Sequence, residues 1–350
     1  MKRHLSRRLL LSTLSSAAAS VLLVGCGGQS SESTSDSGTA GSGAVNTTTK
    51  TATTDSGGAS KGTIGVSLLT TTNPFFNDMG RAIEKEAAAN HMKATIVSAE
   101  YDPAKQKDQV NDFIVKKVSA IILNPADSKS IGTAIKAANT AGIPVFTADI
   151  ASLSKDAKVV SHIATDNYSG GKLAGQAMIE ALGGKGKVAI LDHPQAESVI
   201  QRTKGFEEVI DAHNAKGPGK ITIVVKLPGG GEKDKSFKAA EDILQAHADL
   251  NGIFAINDPS ALGAVAALEK AGKAGKIKII GFDGMPEGKQ AIKDGKIYAD
   301  PIQFPDEIGK KTVQSIVKYV AGETVPAQSL IPTQLYDKAK AQSDTSLKAK

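Results

Sequence analysis

From Thr63 onward, apolar runs short enough for strands alternate with longer segments whose apolar residues recur at helical spacing. The runs fall near 63–69, 94–99, 119–123, 144–148, 186–191, 221–226, 252–256, 277–281 and 297–303. Several are too continuously apolar for a sheet with one wet face, so they read as strands covered on both sides. Between them, Phe76, Met79, Ile83 and Ala87 fall on one stripe of a helix, as do Leu173, Ala177 and Ala181. Repeated strand–helix units require right-handed crossovers and parallel sheets. The pattern therefore predicts an α/β chain of two doubly wound, Rossmann-like lobes.

Two stretches of this pattern nearly repeat. Ala120-Ile121-Ile122-Leu123-Asn124-Pro125 is followed by Val145-Phe146-Thr147-Ala148-Asp149, and Ile253-Phe254-Ala255-Ile256-Asn257-Asp258-Pro259 by Ile277-Lys278-Ile279-Ile280-Gly281-Phe282-Asp283. Each is a strand ending in Asn, a helix-length gap, and a strand ending in Asp, with an Asn-to-Asp offset of 25 residues in one copy and 26 in the other. Open parallel sheets present ligand-binding groups at strand carboxyl ends. Two such lobes face to face would hold a small polar molecule between them. The change of lobe is expected near Ser161-His162-Ile163-Ala164, before the N-cap cluster Thr165-Asp166-Asn167. A return crossing is expected near Gln303-Phe304-Pro305, where Pro305, Asp306 and Glu307 suit a helix start.

The beginning of the chain is different. A basic start with Lys2, Arg3, Arg7 and Arg8 leads into an apolar run from Leu9 to Leu23 and then Leu23-Val24-Gly25-Cys26, which resembles a bacterial lipobox. Cys26 is the sole cysteine, which excludes an internal disulfide and makes its thiolate the expected lipidation site. Ser6-Arg7-Arg8-Leu9-Leu10 fits either a twin-arginine export signal or an ordinary basic leader. Residues 26–61 are rich in Gly, Ser and Thr and bury too little to offset chain entropy, so they are expected to form a flexible tether. The formal charge of +6 includes the four cations of the leader, leaving +2, too little for nucleic-acid affinity.

Candidate chemistry is sparse. Asn73-Pro74 suits a helix cap, but Phe75 and Phe76 stand out in a chain that is only 4% aromatic and has no Trp, and their rings could cover the C–H face of a sugar. Asn124, Asp149, Asn257 and Asp283 each suit a cap taken singly; their matched recurrence points to hydroxyl recognition, since Asn donates and accepts and Asp accepts twice. Arg202 suits a solvated helix face or a fork reaching into a cleft. No Gly-Lys pair is followed by Ser or Thr, Gly229-Gly230-Gly231 lacks a dinucleotide fingerprint, and the six His are scattered, so neither a cofactor nor a metal is expected.

At these residues the chain resembles the sugar-binding proteins of ABC importers, and the ribose-binding group most. The resemblance covers about residues 62–337 through Asn73-Pro74-Phe75-Phe76, Leu123-Asn124-Pro125-Ala126-Asp127-Ser128, Ser161-His162-Ile163-Ala164-Thr165-Asp166-Asn167, Ala255-Ile256-Asn257-Asp258, Gly281-Phe282-Asp283-Gly284 and Gln303-Phe304-Pro305-Asp306. It implies a type I periplasmic binding protein with two lobes joined by a multi-strand hinge. The expected division is a signal peptide at 1–25, the tether at 26–61, a first lobe of 62–163 plus 304–332, and a second of 164–303 plus 333–342. The resemblance implies that Asn73, Phe75, Phe76, Asn124 and Asp149 face the ligand from the first lobe, and Arg202, Asn257, Phe282, Asp283 and Gln303 from the second lobe and hinge. Two positions depart from the ribose pattern: Ile150 stands where an Arg follows the Asp, and Gly231 where a stacking Phe is placed. The implied protein is a monomeric, extracytoplasmic solute-binding lipoprotein, held to the membrane by its lipid alone, that passes a pentose, a hexose or a similar molecule to an ABC permease. Rival readings are a sensory or autoinducer-2-like binding protein, a glycoside-active enzyme using two carboxylates, and a repressor's effector lobes, the last lacking a basic helix-turn-helix.

Overall fold

The structure, a computed structural model, describes residues 62–347. The leader, Cys26 and the tether lie outside these residues. The chain first builds β1 (Thr63–Leu68), α1 (Pro74–Ala89), β2 (Lys93–Ser98), α2 (Pro103–Val115), β3 (Ala120–Leu123), α3 (Gly132–Thr140), β4 (Val145–Ala148) and β5 (Ser161–Thr165). It continues through α4 (Asn167–Leu182), β6 (Gly186–Asp192), α5 (Glu197–Lys216), β7 (Ile221–Pro228), α6 (Lys233–Ala246), β8 (Gly252–Ala255), α7 (Asp258–Lys270), β9 (Lys278–Ile280), α8 (Pro286–Lys293) and β10 (Ala299–Ile302). It ends with α9 (Pro305–Val320), β11 (Gln328–Ile331), β12 (Gln334–Asp337) and α10 (Lys338–Ser343).

These strands form two six-stranded sheets, ordered β11-β5-β4-β3-β1-β2 and β12-β10-β9-β8-β6-β7. Central strands such as β3, β4 and β8 are buried at every residue, as their unbroken apolar runs require. All pairings are parallel except β10 with β12, which is antiparallel. The reason is topological. Strand β11 runs toward the space between the sheets, and only residues 332–333 separate it from β12. So short a link cannot make the crossover that a parallel neighbour needs. The chain therefore enters the second sheet from the cleft side, against the direction of β10.

Three passages join the sheets: from β5 to α4, from β10 to α9, and from β11 to β12. Helix α9, made late in the chain, packs beside α1 on the first sheet, where Gly309 meets the backbone carbonyl of Met79. In the second lobe α4 and α5 cross at near backbone contact. A Cβ on Gly171 would stand 2.1 Å from the Arg202 carbonyl oxygen, and one on Gly205 would stand 2.2 Å from that of Tyr168. This glycine-lined crossing draws α5 inward and brings Arg202 to the end of the sheet. No helix among the described residues is long and apolar enough to cross a membrane.

Candidate functional site at the interlobe cleft

Carboxyl ends of strands from both sheets converge on one small cavity, of about 30 Å³ with the lobes as they stand here. A wider recess near Tyr298 and Lys278 lies at the other ends of the second sheet's parallel strands, with Glu180, Lys296, Asp337 and Lys338 among its lining residues. The interlobe cavity is lined by Asn73, Phe75, Phe76, Asp149, Arg202, Asn257, Asp283 and Gln303 among the expected residues. The remaining two, Asn124 and Phe282, do not line it and lie behind the wall.

On the first lobe, the turn after β1 carries both a cap and a wall. Asn73 Oδ1 accepts from the Phe75 N–H at 3.0 Å and so opens α1. The Phe75 and Phe76 rings meet edge to face at 5.2 Å and both line the cavity, presenting a rigid apolar surface. The cap and the wall are thus the same structure. Asn124 is fully buried; its Nδ2 donates to the Ala148 carbonyl, and its backbone carbonyl accepts from Gln106 Nε2 at 2.9 Å. Its role is to fix the last residue of β4, directly before Asp149.

Asp149 itself has a left-handed backbone (φ 64°), 3% exposure, and an Oδ1 with no hydrogen-bond partner. Burial pushes its carboxyl up to about 7, against the pull of the Arg202 guanidinium and with the repulsion of Asp283 and Glu197. A buried acid in left-handed backbone with an unpaired oxygen leaves an acceptor unused by the protein at the cavity wall.

The second lobe supplies a tied network. Arg202 Nε donates to Asn167 Oδ1 at 2.8 Å, and Nη1 donates to the Ile256 carbonyl at 2.7 Å and to Asp283 Oδ1 at 3.2 Å. Its guanidinium lies 3.9 Å over the Phe282 ring. Phe282 is fully buried and serves as a shelf for that cation instead of facing the cavity. Asp283, with φ 100°, also accepts from Gln303 Nε2 at 2.7 Å. Burial pushes its carboxyl up while Arg202 pulls it back. Gln303 Oε1 remains buried and unpaired. Asn257 caps α7 by accepting from the Ser260 N–H at 2.9 Å, and its Nδ2 donates to the Gly231 carbonyl at 3.0 Å.

Tyr101, His193 and Ile150 also line the cavity, although no local motif marks Tyr101 or His193 as a wall residue. Apolar Ile150 borders Asp149 with no polar atom to offer a hydroxyl. Among the described residues there is no cluster of three or more His, Cys, Asp or Glu able to hold a metal ion. The arrangement offers buried acceptors from both sides, an immobilised guanidinium, and aromatic faces, which is chemistry suited to gripping a compact polyhydroxyl compound.

Comparison with known proteins places this geometry. A family model described as a periplasmic binding protein domain matches residues 64–324. The ribose import binding protein RbsB of Salmonella typhimurium is 37% identical over 277 residues, covering 79% of this chain and 90% of that protein. An ABC transporter periplasmic solute-binding protein from Actinobacillus succinogenes, solved with bound D-allose, is 30% identical with a TM-score of 0.74, covering 81% of this chain and 100% of that one. Another from Agrobacterium vitis, bound with α-D-tagatopyranose, is 28% identical with a TM-score of 0.76, covering 81% of this chain and 97% of that one. Family membership, the two parallel-sheet lobes and the cleft agree: the chain belongs to the periplasmic binding proteins, as a ribose-binding-like sugar-binding member of type I fold.

Proposed function

We propose that this protein is an extracytoplasmic, lipid-anchored receptor that closes over a monosaccharide-like ligand and delivers it to an ABC permease. The observation that carries the reading is Asp149: a buried carboxyl without a protein partner, lining a cavity whose far wall holds the Arg202–Asp283–Gln303 network. In this reading sugar hydroxyls donate to Asp149, Asp283 and Gln303 Oε1, and Phe75 and Phe76 cover a C–H face. Hydrogen bonds to charged groups contribute about 1.5–3 kcal/mol each, so a few of them reach the roughly −8 kcal/mol of micromolar binding after ordering costs. Ile150 favours a pose that turns a C–H edge toward it, because a hydroxyl there would be desolvated without a partner.

A thermal-shift screen of the full chain against pentoses, hexoses and polyols tests the reading. The cognate compound at 100 times its dissociation constant adds about 2.7 kcal/mol of apparent stability, and calorimetry should then give one site per chain. Failure of every compound in these classes to raise the melting temperature counts against a sugar ligand. The anchor is tested separately. Cells fed a labelled fatty acid should label the wild-type chain and leave Cys26→Ser unlabelled; label retained on Cys26→Ser would remove that cysteine as the lipidation site.

A further inference from the structure

Gly231 lines the second lobe's wall with bare backbone. Its φ of +70° is one that side chains rarely adopt, and a Cβ there would meet Asn257 Nδ2 at 3.2 Å. The nearest group from the opposite lobe is the Tyr101 hydroxyl, 3.9 Å from that Cβ position and 3.4 Å from the Gly231 carbonyl oxygen. The Tyr101 ring also meets the His193 ring edge to face at 6.0 Å. Tyr101 follows β2 in the first lobe, whereas Gly231 follows β7 and His193 follows β6 in the second, so both contacts span the cleft.

The posture of Tyr101 is fixed from several sides. Glu100 and Tyr101 are consecutive non-glycine residues in the left-handed region, with φ 53° and 60°. The Glu100 carboxylate accepts from Thr70 at 3.0 Å, from Thr71 at 3.1 Å and from Ser98. The Tyr101 N–H donates to the Leu69 carbonyl at 3.0 Å, and Asp102 directly after it caps α2. Strained backbone held this firmly marks a residue whose position is used.

We propose that Tyr101 is a specificity- and residence-determining residue, which supplies from the first lobe an aromatic wall beside the bare backbone of Gly231 and latches the closed lobes through its hydroxyl and ring edge. Ligand and latch then close together, and the ligand cannot leave until the Tyr101 contacts break. The inference rests on the binding reading above for its ligand role, while the latch is visible in the protein alone. A second bridge makes it measurable: the Ser128 N–H donates to the Gln195 carbonyl and the Glu197 N–H donates to Ser128 Oγ, both at 2.9 Å, on the same second-lobe loop that carries His193.

The test compares the full chain with Tyr101→Phe and Tyr101→Ala. Without ligand, hydrogen–deuterium exchange of peptides covering 193–198 and 229–233 should be faster in Tyr101→Ala, with peptides in the central strands β3 and β8 unchanged. With whichever screened sugar binds the wild type, dissociation should quicken about 2- to 10-fold in Tyr101→Phe, which keeps the ring and loses the hydroxyl. It should quicken roughly 10- to 100-fold in Tyr101→Ala. Exchange and dissociation both unchanged in Tyr101→Ala would overturn the proposal. Equally faster exchange in the core strands would mark a general loss of stability instead of a latch and would also count against it. If no sugar binds the wild type, the sugar reading falls, and the exchange comparison still decides whether Tyr101 holds the lobes.

Discussion

Asp283→Ala is expected to abolish measurable sugar binding and to weaken the fold as well. The substitution removes an acceptor that the proposed function assigns to the ligand and leaves the Arg202 guanidinium, whose side chain is only 4% exposed, without its anionic partner. Stranding one member of a buried ion pair costs about 3–5 kcal/mol. Losing the acceptor costs a further 1.5–3 kcal/mol in binding for each charged hydrogen bond it made, or about 10- to 100-fold in affinity apiece. Calorimetry measures the second effect and denaturant unfolding the first. The double variant Asp283→Ala/Arg202→Met separates them: part of the stability should return, because no cation is left stranded, although Ala at φ 100° and the freed Asn167 and Ile256 acceptors keep a cost, while binding should not return. Full affinity in Asp283→Ala would remove this residue from the site.

Asp149→Asn is expected to do the opposite to the fold while equally harming binding. Asn tolerates the left-handed backbone at this position, which Ala would strain. No protein group is stranded by the change, because Asp149 Oδ1 has no partner. A carboxyl raised to about 7 when folded, against roughly 3.9 when unfolded, binds its proton more tightly in the folded state. Its contribution to stability is therefore fully present below pH ~4 and is lost as pH rises through about 7. Asp300, fully buried beside Asp258, is likewise pushed up to about 7 by desolvation and acts in the same direction. The ligand-free wild type should lose stability from pH 5 to pH 8, and Asp149→Asn should flatten part of that slope. At pH 8 the variant gains on the order of 1–3 kcal/mol, the relief of an unpaired charge less the cost of an unpaired amide. Sugar hydroxyls donating to ionised Asp149 would make wild-type affinity fall up to tenfold per pH unit below about 7, with proton release on binding. A pH-independent affinity in the wild type would show that Asp149 is not the titrating acceptor.

Much of this was legible in the residues. Strands covered on both faces must be apolar without interruption, so β3, β4 and β8 announced themselves, and polar residues placed directly after such strands had to sit at the sheet's binding edge. The strands β11 and β12 were not legible as strands. They lie at sheet edges, are half exposed, and mix Gln, Ser and Asp with few apolar residues, so no periodic signal survives. Asn124 and Phe282 illustrate a second limit. Residue type at a strand's end says that the position is near the site, whereas backbone direction decides whether a side chain points into the cavity or behind it. Phe282 turns back under Arg202, and Asp283 with its positive φ turns forward. Tyr101 left no trace because neither its left-handed backbone nor its approach to Gly231 from the opposite lobe is written in local sequence.

The three passages between sheets also govern the order in which this protein can become whole. A ribosome or export channel releases the chain from its amino end, yet α9 and β11, which complete the first sheet's layer and edge beside α1 and β5, emerge only after the second sheet's five parallel strands. Neither half is a finished object on its own. A product truncated between β5 and β11 leaves β5 with an open edge, and so premature termination there yields an adhesive fragment instead of a working half-receptor.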